Sequence, residues 1–227
     1  MDELLELARS PKRGAALVLA SGRLSVAVAL VLVATAVAAA NAARFLNDVP
    51  VDSILYGDTR SPAIASLIRA LGPDRAAIIA YFIEQAWVAV VVVTAFSPIF
   101  VWLLGATAVH AAARIDGARK ALRPMLVLFG YATALTRIPS DAAAAILGSG
   151  ESAGAPVAQL IGTISLVWLA IIVLRAIQMH YSLAVGRAAI VFMIALVLFY
   201  LVPLALIIAA GIAILVAAII LDYVPGL

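Results

Sequence analysis

Of the 227 residues, 66% are hydrophobic and 12% charged, with a mean hydropathy of +1.18, whereas a soluble domain is about half apolar and about a quarter charged. A soluble globular protein is excluded, and uncharged stretches recur so evenly that no polar segment is long enough for a separate core. The chain has no cysteine, which removes disulfides, a thiol nucleophile and thiolate metal ligands, and its net charge of +3 is informative only through its placement.

Residues 1–23 read as an amphipathic cytoplasmic lead-in. Leu4, Leu5 and Leu7 alternate with Asp2, Glu3 and Glu6, and Ser10-Pro11 is a cap and first-turn pair for a second short helix carrying Lys12 and Arg13. From Leu24 to Ala43 no residue is charged. Those residues span about 30 Å as a helix, one hydrocarbon thickness, so a first span is expected over about 24–43. Ala38-Ala39-Ala40 resembles a signal-peptidase site, but the region before it carries three acids, Asp2, Glu3 and Glu6, which a signal peptide would not favour.

Residues 44–75 form the one sizeable polar connection. Ser61, Pro62 and the stripe Ile64, Leu67, Ile68, Leu71 predict a helix stopped by Gly72-Pro73. Asp74 then caps a long apolar run, Ala76 to Ala113, broken only by Glu84. One tilted or kinked span over about 84–112, with a protruding start, is expected. Two spans would place the basic stretch that follows opposite the basic amino terminus.

The third hydrophobic run, with a span over about 121–138, contains Arg137, Pro139 and Asp141. Proline lacks a donor and clashes with the preceding turn, so a break or kink is expected there, with Ser140 as a fresh N-cap. The break is expected at the outer interface, where water solvates Arg137 and Asp141. Residues 153–174 are the cleanest span, between Glu151 and Arg175. Ala188 to Leu221 is uncharged and about 51 Å long as a helix. One helix kinked near Pro203 is preferred to a hairpin, whose first half would be short.

The fold class is therefore all-α, a multi-pass bundle of about five spans forming one membrane domain over 24–227. Lys and Arg set the orientation. Placing 1–23, 114–123 and 175–187 inside gives ten basic residues within, against five outside over 44–75 and 137–151. The amino terminus is expected in the cytoplasm, in a chain of the cell membrane.

Charged groups in hydrocarbon are costly, so those near it are candidate sites. Glu84, beside Gln85, reads as an ion or proton site or, more simply, as an extramembrane extension of its helix. Arg137 and Asp141 stand at i, i+4 spacing and would line a broken helix in a transporter. His110 and His180 at the inner ends of hydrophobic runs form a poor metal site without a carboxylate; capping or interfacial hydrogen bonding accounts for them better. Arg114, Arg119, Lys120 and Arg123 make a basic cluster whose place beside a membrane favours anionic lipid headgroups over nucleic acid. Gly105 and Gly162 allow close helix packing. The chain carries no phosphate loop, zinc-protease motif or nucleophile elbow, and neither an enzyme nor a cofactor is indicated.

From the second span onward the chain resembles the Yip domain family, the Ypt- or Rab-interacting membrane proteins. The resemblance lies in residues 102–139, with His110, Gly117, Gly130, Tyr131, Ala132 and Pro139, and in residues 167–197, with Arg175, His180, Ser182, Gly186, Arg187 and Ala188. Arg187 stands where the family pattern has lysine, and Asp116-Gly117 replaces a paired glycine. It implies five spans with a cytoplasmic amino terminus, agreeing with the charge count. It also implies a non-enzymatic scaffold or membrane-organising role, with membrane-protein partners or a homo-oligomer. The alternative is a small-solute or ion transporter or channel built on a broken third helix.

Overall fold

A computed structural model describes residues 2–48, 66, 73–148 and 153–223. Seven helices and no strand occur among them: α1 (Asp2–Arg9), α2 (Pro11–Ser21), α3 (Leu24–Asp48), α4 (Pro73–Ile115), α5 (Arg123–Leu147), α6 (Ala155–His180) and α7 (Val185–Tyr223). The chain is a helical multi-pass membrane protein. Four segments are long and apolar enough to cross a bilayer: Leu24–Arg44, Trp87–Ile115, Ala155–His180 and Val185–Ala205. Apart from Ser66, which is helical, the helix expected over 61–71 falls outside the described residues.

The first turns follow the sequence. Ser10 caps α2, its hydroxyl accepting from the Arg13 amide at 3.5 Å, and Pro11 occupies the first turn. The lead-in docks on the bundle: Leu7 is buried, and α1 and α2 both touch α5. α3 presents Ala27, Val31, Ala34, Ala38 and Ala42 as one buried stripe at helical spacing, and this face packs on α4 and α5. Small side chains let the axes come close, the usual basis of helix association in lipid. At Gly130 the approach is close enough that an added Cβ would lie 2.6 Å from the Ala27 Cβ.

α5 is the axis of the bundle. It touches α1, α2, α3, α4 and α6, and from Met125 to Thr136 nearly every residue is buried, on all sides rather than on one stripe. That enclosure explains why α5 falls outside the four apolar segments: a helix wrapped by protein does not have to be apolar toward lipid. At 25 residues it is about 37 Å long, enough to cross.

The expected break at Pro139 does not occur. α5 runs unbroken through Pro139 and Ser140 to Leu147. The ring of Pro139 sits on an exposed side, clear of the flanking helices, and the packing of α3, α4 and α6 holds the axis together although one backbone bond is missing. Ser140 is mid-helix, facing Gly162 of α6. The third run is accordingly longer than expected, ending at Leu147 rather than near residue 138. The two long runs are each one helix and not a hairpin, α4 continuing through Pro98 and α7 through Pro203.

Candidate functional site

Two places gather the charged and polar side chains. The first is in the carboxyl-terminal half of α5. Arg137 and Asp141, one turn apart, form a salt bridge of 3.2 Å, and a guanidinium nitrogen of Arg137 also donates to the Ser97 hydroxyl of α4 at 2.7 Å. Asp141 is 5% exposed, so the expectation that water solvates both groups fails. The unbroken helix is the reason, because it keeps i and i+4 on one face and turns that face toward α4. Three atoms here are buried without a hydrogen-bond partner: Asp141 Oδ2, Arg137 Nε and Thr133 Oγ1. Thr136 uses its hydroxyl on the Ala132 carbonyl at 2.8 Å. The Glu84 backbone lies within α4, just before the apolar stretch that begins at Trp87; its side chain is outside the described residues.

The second place is the end of the bundle where α3, α5 and α7 start and α4 and α6 finish. The three stretches that the charge count assigned to one side meet here. α4 ends in a capping motif: the Ala118 amide donates to the Ala113 carbonyl at 2.9 Å and the Gly117 amide to Arg114 at 3.1 Å, with Gly117 at φ +91°. Only glycine enters that region without strain, which is what position 117 requires. The connection is then fastened twice. Arg187, at the start of α7, pairs with Asp116 at 2.9 Å, and His180 Nε2, at the end of α6, donates to the Ala121 carbonyl at 3.0 Å. His110 Nδ1 and the Tyr181 hydroxyl share a hydrogen bond of 3.0 Å, and Tyr181 meets the His180 ring edge-on at 4.6 Å. Burial pushes the Tyr181 phenol up to about 12, so it stays neutral. Both histidines thus hydrogen-bond protein groups, and no group of three metal-ligating side chains occurs among the described residues.

Between these places lies an apolar cleft of about 370 Å³, lined by Gly105, Val109, Phe129, Val173 and Phe192 among others. Neither Arg137 nor Asp141 lines it.

No family model, curated protein or solved structure matches this chain.

The structure gives local roles to most positions singled out in the sequence. Gly117 caps α4, Gly130 admits α3, Tyr131 is buried in α5, and His180 and Arg187 hold the connection. Arg175 is exposed and donates to Gln178 at 3.1 Å. Gly186 has open space around it, and nothing in the structure explains a glycine there. Sequence reasoning missed Ser97, Tyr181 and the pairing of Asp116. Asp116 carried a signal, as the one acid between Arg114 and Arg123; Ser97 carried none, since its partner lies 40 residues away.

Proposed function

We propose that this chain is a non-enzymatic scaffold of the cell membrane, one that organises membrane partners as the Yip-like pattern implies, with α5 as a fifth span and the amino terminus in the cytoplasm. The observation that supports it best is the closed state of the Arg137 and Asp141 pair. The two charges neutralise each other along a continuous helix, and the cleft nearby is apolar and does not include them. A solute pathway needs polar groups facing a wettable cavity. Short, cross-tied connections and small-residue contacts suit a fixed platform instead.

One observation favours the transporter alternative: the orphaned oxygens Asp141 Oδ2 and Thr133 Oγ1 are what a transient cation or proton would engage. Proteoliposomes with an internal pH dye and imposed proton, sodium or potassium gradients separate the two. The scaffold reading expects flux equal to protein-free vesicles, for wild type and Asp141→Asn alike. Gradient-driven flux abolished by Asp141→Asn would establish the transporter.

A further inference from the structure

The connection between α4 and α5 carries exposed charge on a rigid support. Arg114, Arg119, Lys120 and Arg123 are all exposed, and Asp116, the one acid among them, is occupied by Arg187. Backbone groups at Ala118 and Gly117 are used by the helix cap, and the segment is tied to α7 at Asp116 and to α6 at Ala121. Arg119 and Lys120 therefore project from between two fixed points, and Arg123 follows at the first residue of α5. Beside Arg114, Ile115 is 69% exposed, a large apolar side chain in the last turn of a segment long and apolar enough to span.

We propose that this connection is a preorganised binding site for the phosphate of an anionic phospholipid of the adjacent leaflet, gripped by Arg119, Lys120 and Arg123, with Ile115 at the acyl boundary. The occupant follows from chemistry and position. Four cations with no free acid among them select an anion, and the last turn of a spanning helix stands where headgroups are. An apolar side chain next to the cations fits the boundary between headgroups and acyl chains, where an acidic peptide in water would leave it bare. Guanidinium groups favour phosphate, which they can meet with two parallel hydrogen bonds. Preorganisation matters because long basic side chains on a loose loop would lose freedom on binding, which the ties reduce. The proposal requires only that the chain sits in a membrane, and stands apart from whether it acts as a scaffold.

Native mass spectrometry of the detergent-purified chain, titrated with phosphatidylglycerol or phosphatidylcholine, tests it. Wild type should prefer phosphatidylglycerol. The triple change Arg119→Gln, Lys120→Gln, Arg123→Gln should cut that affinity on the order of a hundredfold, about fivefold for each basic group, leaving phosphatidylcholine unaffected. His180→Phe removes one tie at unchanged formal charge and should cost several-fold, while His180→Gln, which keeps a donor, should restore most of it. Should His180→Phe melt early, Gly117→Ala loosens the same segment through its positive φ, again without altering charge, and should show the same loss. Retained preference in the triple variant overturns the site. Unchanged affinity in the folded loosening variants overturns preorganisation in favour of general surface charge. Displacement of phosphatidylglycerol by equimolar polyglutamate overturns the lipid in favour of an acidic peptide.

Discussion

Asp141→Asn and Arg137→Gln, made singly and together, probe the axis of the bundle. The Asp141 side chain is 8% exposed and the Arg137 side chain 28%, so the two single changes are not equivalent. Arg137→Gln strands a carboxylate in protein, and breaking a buried pair from one side costs about 3 to 5 kcal/mol. Asp141→Asn strands a cation that keeps its bond to Ser97 and is only partly enclosed by protein; its cost should be nearer 2 kcal/mol, below the fully buried range. The double change leaves two neutral amides able to bond each other and should cost about 1 kcal/mol, the scale of a weakened neutral hydrogen bond. The predicted coupling is therefore several kcal/mol, far above the few tenths expected of an exposed helical pair. Thermal unfolding of the four proteins in one detergent measures it. Single variants each within about 1 kcal/mol of wild type, adding without coupling, would refute the claim that the pair is enclosed.

Two further outcomes follow from other contacts. Gly130→Ala places a Cβ 2.6 Å from that of Ala27. Overpacking of about 1 to 3 kcal/mol should outweigh the helix-propensity gain of about 1 kcal/mol, so the variant should melt below wild type; a higher melting temperature would contradict the α3 contact. Tyr181, raised to about 12 by burial, holds its proton more tightly folded than unfolded. Its contribution is thus complete below about pH 10 and is lost as pH rises from there toward 12, up to about 3 kcal/mol for two pKa units. Wild type should lose stability faster than Tyr181→Phe above pH 10, and parallel melting curves would count against the buried phenol.

How much of this was legible in the sequence depends on the range of the interaction. Apolar length gave the four segments long enough to span. Local chemistry gave the Ser10-Pro11 cap and the i, i+4 spacing of Arg137 and Asp141. The fate of Pro139 was misjudged because a local rule, the missing donor, was set against tertiary packing that a one-dimensional reading does not contain. The depth of Asp141 was misjudged for the same reason: a carboxylate in a sequence looks like a surface group until the helices around it are placed. His180 to Ala121 and Arg187 to Asp116 join residues 59 and 71 apart. No periodicity reports such a pair, although the charge count had already grouped the segments that carry them.

The account rests most heavily on α5 crossing the membrane as an enclosed helix, and labelling its two ends tests that directly. The chain has no native cysteine, so Ala121→Cys, in the exposed connection before α5, and Ile146→Cys, at a position 75% exposed near its far end, can each be probed alone. In intact cells an impermeant maleimide should react at position 146 and leave position 121 untouched until the membrane is opened. Both cysteines reacting from the same side, or the two reacting in the reverse order, would contradict it.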